Sequence, residues 1–141
     1  MQQVPKPKII FIVEDNAVYA NTLEQFLKAK FPDVTEIKIF PIGEASLMDL
    51  YQNPTVIIID QLLNSVQSDA ATGLSIIKKI KSANPVANII LLSGQTEFDV
   101  VSKTVTTYGC KYVQKDDQAF EKVERFIQDI FNNQNAAALK A

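Results

Sequence analysis

Five side chains in this sequence stand where they could do chemistry: Glu14, Asp15, Asp60, Ser93 and Lys115. Each ends or directly follows a short apolar run. Glu14 and Asp15 follow I-I-F-I-V (9–13), Asp60 ends V-I-I-I-D (56–60), Ser93 follows N-I-I-L-L (88–92) and Lys115 follows C-K-Y-V-Q (110–114). Singly, each has an ordinary explanation: a solvated turn before a helix, an Asx turn, a loop hydroxyl, a surface lysine. Together they put three carboxylates, a hydroxyl and an ammonium at the same place relative to their apolar runs. If the first and third runs lie side by side, the acids converge. Crowded carboxylates repel and raise one another's pKa, so the set makes sense around a hard divalent cation. Magnesium takes oxygen ligands and is shared between carboxylates and phosphate oxygens. A lysine point charge and a small hydroxyl suit a phosphoryl group. The chemistry these residues fit is phosphoryl transfer onto a carboxylate. Asp60 is the natural nucleophile, because an aspartate can form an acyl phosphate and a metal offsets the charge that opposes attack.

The elements that must position these groups alternate. Strands are expected at Lys8–Val13, Thr35–Phe40, Thr55–Asp60, Asn88–Leu92 and Cys110–Gln114. The second alternates polar and apolar and belongs at a sheet edge, whereas the third is apolar until its last residue, as a central parallel strand should be. Between them, Asn16 caps a helix with Ala20, Leu23, Phe26 and Leu27 along one face. Gly43–Tyr51 reads as a short helix with Ala45, Met48 and Tyr51 inward, and Gly73–Ala83 as a helix with Leu74, Ile77 and Ile80 inward and Lys78, Lys79 and Lys81 outward. Residues 61–72 lack periodicity and read as a long loop. Thr96 with Asp99 resembles a capping box, opening a helix with Phe98, Val101, Val105 and Tyr108 on one side, which Gly109 closes. Asp116 or Asp117 caps a last helix through Phe120, Val123, Ile127 and Ile130, and N-N-Q-N-A-A-A-L-K-A (132–141) reads as a frayed tail or linker. This is a (βα)5 chain, an α/β fold whose strict alternation implies a parallel sheet with right-handed crossovers and helices on both faces. Ligands of such sheets bind beyond the carboxyl ends of the strands, where the five polar groups fall.

Composition narrows the classes. The 141 residues suit one domain, and 47% hydrophobic with 21% charged residues supports a sizeable core rather than disorder. A net charge of −2 without a basic cluster gives no nucleic-acid footprint. The longest apolar runs are too short to span a bilayer, and the N-terminus lacks a signal-peptide pattern, so no membrane association and a cytoplasmic location are expected. Cys110 is the single cysteine, which rules out an internal disulfide. The chain has no histidine, so any phosphohistidine must belong to a partner.

Four stretches, I-V-E-D-N (12–16), I-I-I-D (57–60), L-L-S-G (91–94) and Y-V-Q-K-D (112–116), together resemble the response-regulator receiver domains of two-component signalling. The resemblance spans about residues 8–131 and implies a receiver domain over 1–131, with 132–141 as tail or linker, and the flavodoxin-like strand order 2-1-3-4-5. It implies Asp60 as phosphoacceptor, with Mg2+ held by Asp15 directly, by Glu14 directly or through water, by Asp60 and by the backbone carbonyl of Leu62. Ser93 would hydrogen-bond a phosphoryl oxygen, Lys115 would pair with the phosphoryl group, and Tyr112 would be the switch aromatic that turns inward. The implied donor is a phosphohistidine on a sensor histidine kinase or histidine phosphotransfer protein. The output is a protein partner or a homodimer formed through the face of the fourth helix, fifth strand and fifth helix. Such a chain is a signalling switch rather than an enzyme.

Two features depart from the family pattern, the loop after Asp60 and the residue after Lys115. Asn64 and Ser68 stand where relatives carry a proline and a glycine, and the first glycine after Asp60 is Gly73, thirteen positions on. The loop is thus about five residues longer, either altering donor recognition and phosphoryl lifetime or lying as a tolerated insertion. Asp116 follows Lys115 where many relatives place proline. Leu62 and Gln95 flank the site, where the family tunes attack by water. A phosphorylation-independent pseudo-receiver is the alternative. Nucleotide-binding enzymes are disfavoured by the lack of any glycine-rich phosphate loop, and a haloacid-dehalogenase-like phosphatase by Leu62, where a second aspartate would stand.

Overall fold

A computed structural model describes residues 6–63, 71–94 and 101–140, with side chains described as far as 135. Five parallel strands form one sheet in the order β2-β1-β3-β4-β5: β1 (Ile9–Val13), β2 (Glu36–Phe40), β3 (Val56–Asp60), β4 (Ile89–Ser93) and β5 (Lys111–Gln114). The helical elements are α1 (Ala17–Lys30), α2 (Gly43–Met48), a 3-10 turn (Leu50–Gln52), α3 (Gly73–Ala83), a π-helical turn α4 (Lys103–Thr107) and α5 (Ala119–Lys140). This is the flavodoxin-like order expected from the sequence.

The period-2 alternation of a strand divides the apolar residues between two cores. Ile10, Ile12, Val56, Ile58, Ile90, Leu92 and Val113 meet Ala20, Leu23 and Leu27 of α1 and Val123, Ile127 and Phe131 of α5. Phe11, Val13, Ile57, Ile59, Ile89 and Leu91 meet Ile76, Ile77 and Ile80 of α3 on the other face. Each fully buried Ile or Leu contributes about 1.5–3 kcal/mol. The central strands β1, β3 and β4 therefore form a stiff base, and β2 lies at an edge as its alternation requires.

Several local expectations need correction. In α2, Ala45, Met48 and Tyr51 face solvent, with Met48 and Tyr51 more than three-quarters exposed, while Gly43 and Ser46 are buried and Leu47 and Leu50 pack on the core. The smallest residues face inward because Gly43 lies directly against the Ile76 side chain, with no room for a Cβ. The helix then tightens into the 3-10 turn, whose end at Asn53 takes positive φ (56°). In α3, Ile76 joins Ile77 and Ile80 inside while Leu74 is only partly buried; Lys81 bends back to donate to the carbonyls of Pro85 and Ala87. In α4 the wide π turn shifts the helical phase, so Thr104 is buried and Val105 is 42% exposed. Gly109 ends this segment at φ +68°, as expected of a helix-closing glycine. Thr96, Phe98 and Asp99, and with them the capping box, lie outside the described residues, as does Gln95. The last helix does not fray after residue 131 but continues to Lys140. Asp116 accepts the N–H of Gln118, forming an Asx turn just before that helix.

Candidate functional site

The sheet register collects the five polar groups on one rim. Val13 pairs with Ile59, Asp60 with Leu92 and Ser93 with Gln114, so the next residues out along β1 and β5 are Glu14 and Lys115. Each step past the ladder is stapled by backbone. Glu14 N–H donates to Phe40 O at 3.0 Å, Gln61 N–H to Leu92 O at 2.9 Å, and Lys115 N–H to Ser93 O at 2.9 Å. The rim residues inherit the rigidity of the central strands.

The side chains converge. Oxygens of Glu14, Asp15 and Asp60 lie within 4.8 Å of one another. Lys115 Nζ donates to Glu14 Oε1 at 2.8 Å and sits 3.2 Å from Asp60 Oδ2. Glu14, Asp60 and Ser93 are all at most 5% exposed. One ammonium cannot neutralise this many anions. Burial first, then the hydrogen bond and charge of Asp60, push the Glu14 carboxyl up to about 8, against the lowering pull of Lys115. The metal-free pocket therefore favours the protonated form of Glu14. Its Oε2 is buried with no hydrogen-bond partner among the described residues. Three carboxyl groups with oxygens within 4.8 Å of one another fit a hard divalent cation, which would displace the Glu14 proton and supply the charge that lets all three ionise.

Asp60 is fixed on its far side by α3. A Cβ on Gly73 would meet Asp60 O at 2.5 Å and Gln61 Cα at 2.9 Å. Gly73 N–H donates to Gln61 O at 3.1 Å, and the Gln61 side-chain oxygen accepts from Leu74 N–H at 2.9 Å. Gly73 thus brings the start of α3 against the Asp60 backbone, whatever length of chain intervenes. Of that long loop, residues 64–70 lie outside the described residues, including Asn64 and Ser68; Leu63 plugs the α3-side core and Leu62 is 46% exposed. Tyr112 lies half-buried on the α3-side core, its hydroxyl buried without a hydrogen-bond partner among the described residues.

Tyr19 was missed by sequence reasoning. Asn16 Oδ1 accepts its N–H at 3.1 Å, so the helix cap fixes its backbone at the rim. Lys115 Nζ lies 4.3 Å from the centroid of its ring. Burial, then the charges of Glu14, Asp60 and Asp116, push its phenol up to about 12, keeping it neutral. The available signal was an aromatic one helical turn after Asp15, beside the rim rather than deep in the core stripe.

Among the described residues, no helix is long and apolar enough to cross a membrane. No protein-family model and no curated protein sequence matches the chain. Solved structures do. The signal receiver domain of an HD domain-containing protein from Pseudomonas fluorescens Pf-5 superposes with a TM-score of 0.77 at 16% identity, covering 100% of this chain and 98% of that one. A CheY-like response regulator receiver domain protein from Methanospirillum hungatei JF-1 gives 0.74 at 17% identity, covering 92% and 98%. The signal receiver domain of a DNA-binding response regulator from Colwellia psychrerythraea 34H gives 0.73 at 27% identity, covering 89% and 98%. The chain has the fold of a response-regulator receiver domain, the same resemblance its strand-end motifs carry.

Proposed function

We propose that this chain is a phospho-acceptor receiver domain that takes a phosphoryl group from a partner's phosphohistidine onto Asp60 and thereby switches a protein-interaction face. The observation that carries the reading is the single pocket in which Asp60 stands 3.2 Å from Lys115 and within 4.8 Å of the Glu14 and Asp15 oxygens. A receiver domain of DrrB, 25% identical to this chain, has been solved in a BeF3-activated form.

Asp15, Glu14, Asp60 and the Leu62 carbonyl would hold Mg2+, which when bound supplies positive charge against the approaching phosphate. An Asp60 oxygen attacks phosphorus, the O–P bond forms, and the P–N bond to the donor imidazole breaks with its electron pair staying on nitrogen. Lys115 pairs with a phosphoryl oxygen and Ser93 donates its hydroxyl to another. The donor is a sensor histidine kinase or a histidine phosphotransfer protein, and the setting is cytoplasmic. The phosphoryl group adds about −1.5 to −2 charges at neutral pH. Each charge-assisted hydrogen bond it recruits is worth about 1.5–3 kcal/mol, and a nearly complete population change needs about 5.5 kcal/mol. Serine and lysine together approach that figure. Tyr112 then repacks, and the α4-β5-α5 face changes its affinity for a protein partner or a second copy of the domain. The product is a signalling state rather than a released metabolite.

The test is mass spectrometry after incubation with acetyl phosphate and Mg2+. One labile phosphate on the wild type and none on Asp60→Asn is the expected result. No adduct under these conditions, with no response to beryllofluoride, would leave a phosphorylation-independent binding module instead.

A further inference from the structure

Lysine is a flexible four-carbon stem whose ordering costs rotamer freedom, yet Lys115 must be waiting in place if it is to meet an incoming phosphoryl oxygen. Its two carboxylate partners do not hold it constantly. Glu14 and Asp60 are the residues that would also hold the cation, so their pull on the ammonium changes as the pocket fills. A partner whose charge never changes would steady it. We propose that Tyr19 is a positioning residue for Lys115: its ring face holds the ammonium over the Glu14–Asp60 pair. The consequence for phosphoryl binding rests on the function proposed above; the positioning rests on geometry alone.

Three observations converge. Lys115 Nζ is 4.3 Å from the Tyr19 centroid, well inside the roughly 6 Å range of a cation–π contact. The ring is itself clamped, edge-on to Phe120 of α5 at 5.4 Å and 76°, with Phe120 packed on Phe26 at 5.3 Å. The Asn16 cap fixes its backbone. The hydroxyl makes no hydrogen bond among the described residues, so the ring face and not the phenol oxygen does the holding. A ring that is already immobile offers its negative face without further ordering.

The experiment compares wild type, Tyr19→Phe, Tyr19→Leu and a protein carrying a pentafluorinated phenylalanine at position 19, which keeps the ring's size but removes its negative face. The first readout is the NMR signal of the Lys115 Cε methylene, which a ring at this distance moves upfield. Wild type and Tyr19→Phe share the displaced signal, and Tyr19→Leu loses it. The second is affinity for beryllofluoride with Mg2+. Tyr19→Phe keeps it, whereas Tyr19→Leu and the fluorinated ring weaken it about 3- to 10-fold. An undisplaced Lys115 signal in the wild type overturns the proposal, as does equal beryllofluoride affinity across folded variants. Should Tyr19→Leu not fold, the fluorinated ring decides: unchanged affinity overturns the proposal and weakened affinity supports it. A displaced Lys115 signal in a wild type that binds no beryllofluoride upholds the positioning and sinks the phospho-acceptor reading.

Discussion

Replacing Glu14 by Gln should stabilise the metal-free protein at neutral pH, even though it deletes a group that makes a 2.8 Å contact with Lys115. The reason is proton linkage. Glu14 is almost fully buried, and its carboxyl is pushed from an ordinary 4.5 up to about 8, first by burial and then by Asp60. An acid whose folded pKa lies above its unfolded one contributes stability that is complete below pH 4.5 and is lost as pH rises through 8. At 1.36 kcal/mol per pKa unit, the loss between pH 5 and pH 8 comes to about 3 kcal/mol. Glutamine is neutral at every pH and carries no such loss. The assay is urea unfolding in EDTA, followed by far-UV circular dichroism because the chain has no tryptophan. Subtracting variant from wild type at each pH removes the titration of groups outside this pocket and leaves that of Glu14 with its coupled neighbours. The expected difference grows in the variant's favour by about 2–3 kcal/mol from pH 5 to pH 8, a midpoint change of order 1 M urea. Saturating Mg2+ should reverse the order, because the variant loses one of the carboxylates proposed to hold the cation. A flat difference across that pH range, or a wild type that gains on the variant in EDTA, would refute the claim that Glu14 holds a proton in the empty pocket.

Two further outcomes follow from the same pocket. Lys115→Met removes the ammonium facing two buried acids and should cost about 2–3 kcal/mol in EDTA by urea unfolding, below the usual loss for a broken buried pair because Glu14 is already neutral; an unchanged midpoint would contradict the pairing. Gly73→Ala places a Cβ 2.5 Å from the Asp60 carbonyl, with backbone rather than a flexible side chain in the way, and should destabilise by about 1–3 kcal/mol while slowing the proposed modification by acetyl phosphate; wild-type stability and rate together would show that the start of α3 does not fix Asp60.

The rim was legible because a buried parallel strand tolerates no polar residue until it ends. An acid closing V-I-I-I-D, or a hydroxyl closing I-I-L-L-S, therefore marks the carboxyl end of its strand and hence one edge of the molecule. Helix phase was less legible. Apolar spacing assumes an unbroken 3.6-residue period, and α4 breaks it by widening into a π turn. In α2 the period holds through Gly43, Ser46, Leu47 and Leu50, and the phase was hidden because Gly43 and Ser46 face the core with little side chain to mark it. The continuation of α5 past Phe131 left no apolar signature either, because a helix already nucleated and packed at Val123 and Ile127 extends at one hydrogen bond per residue through any sequence without a strong breaker. Tyr19 shows the remaining limit. Only the register of β1 against β3, together with the reach of Lys115 from beyond β5, makes this helix aromatic a neighbour of Lys115. What the sequence carries is which groups stand on the rim; which side chain steadies which is decided by distances between residues nearly a hundred positions apart.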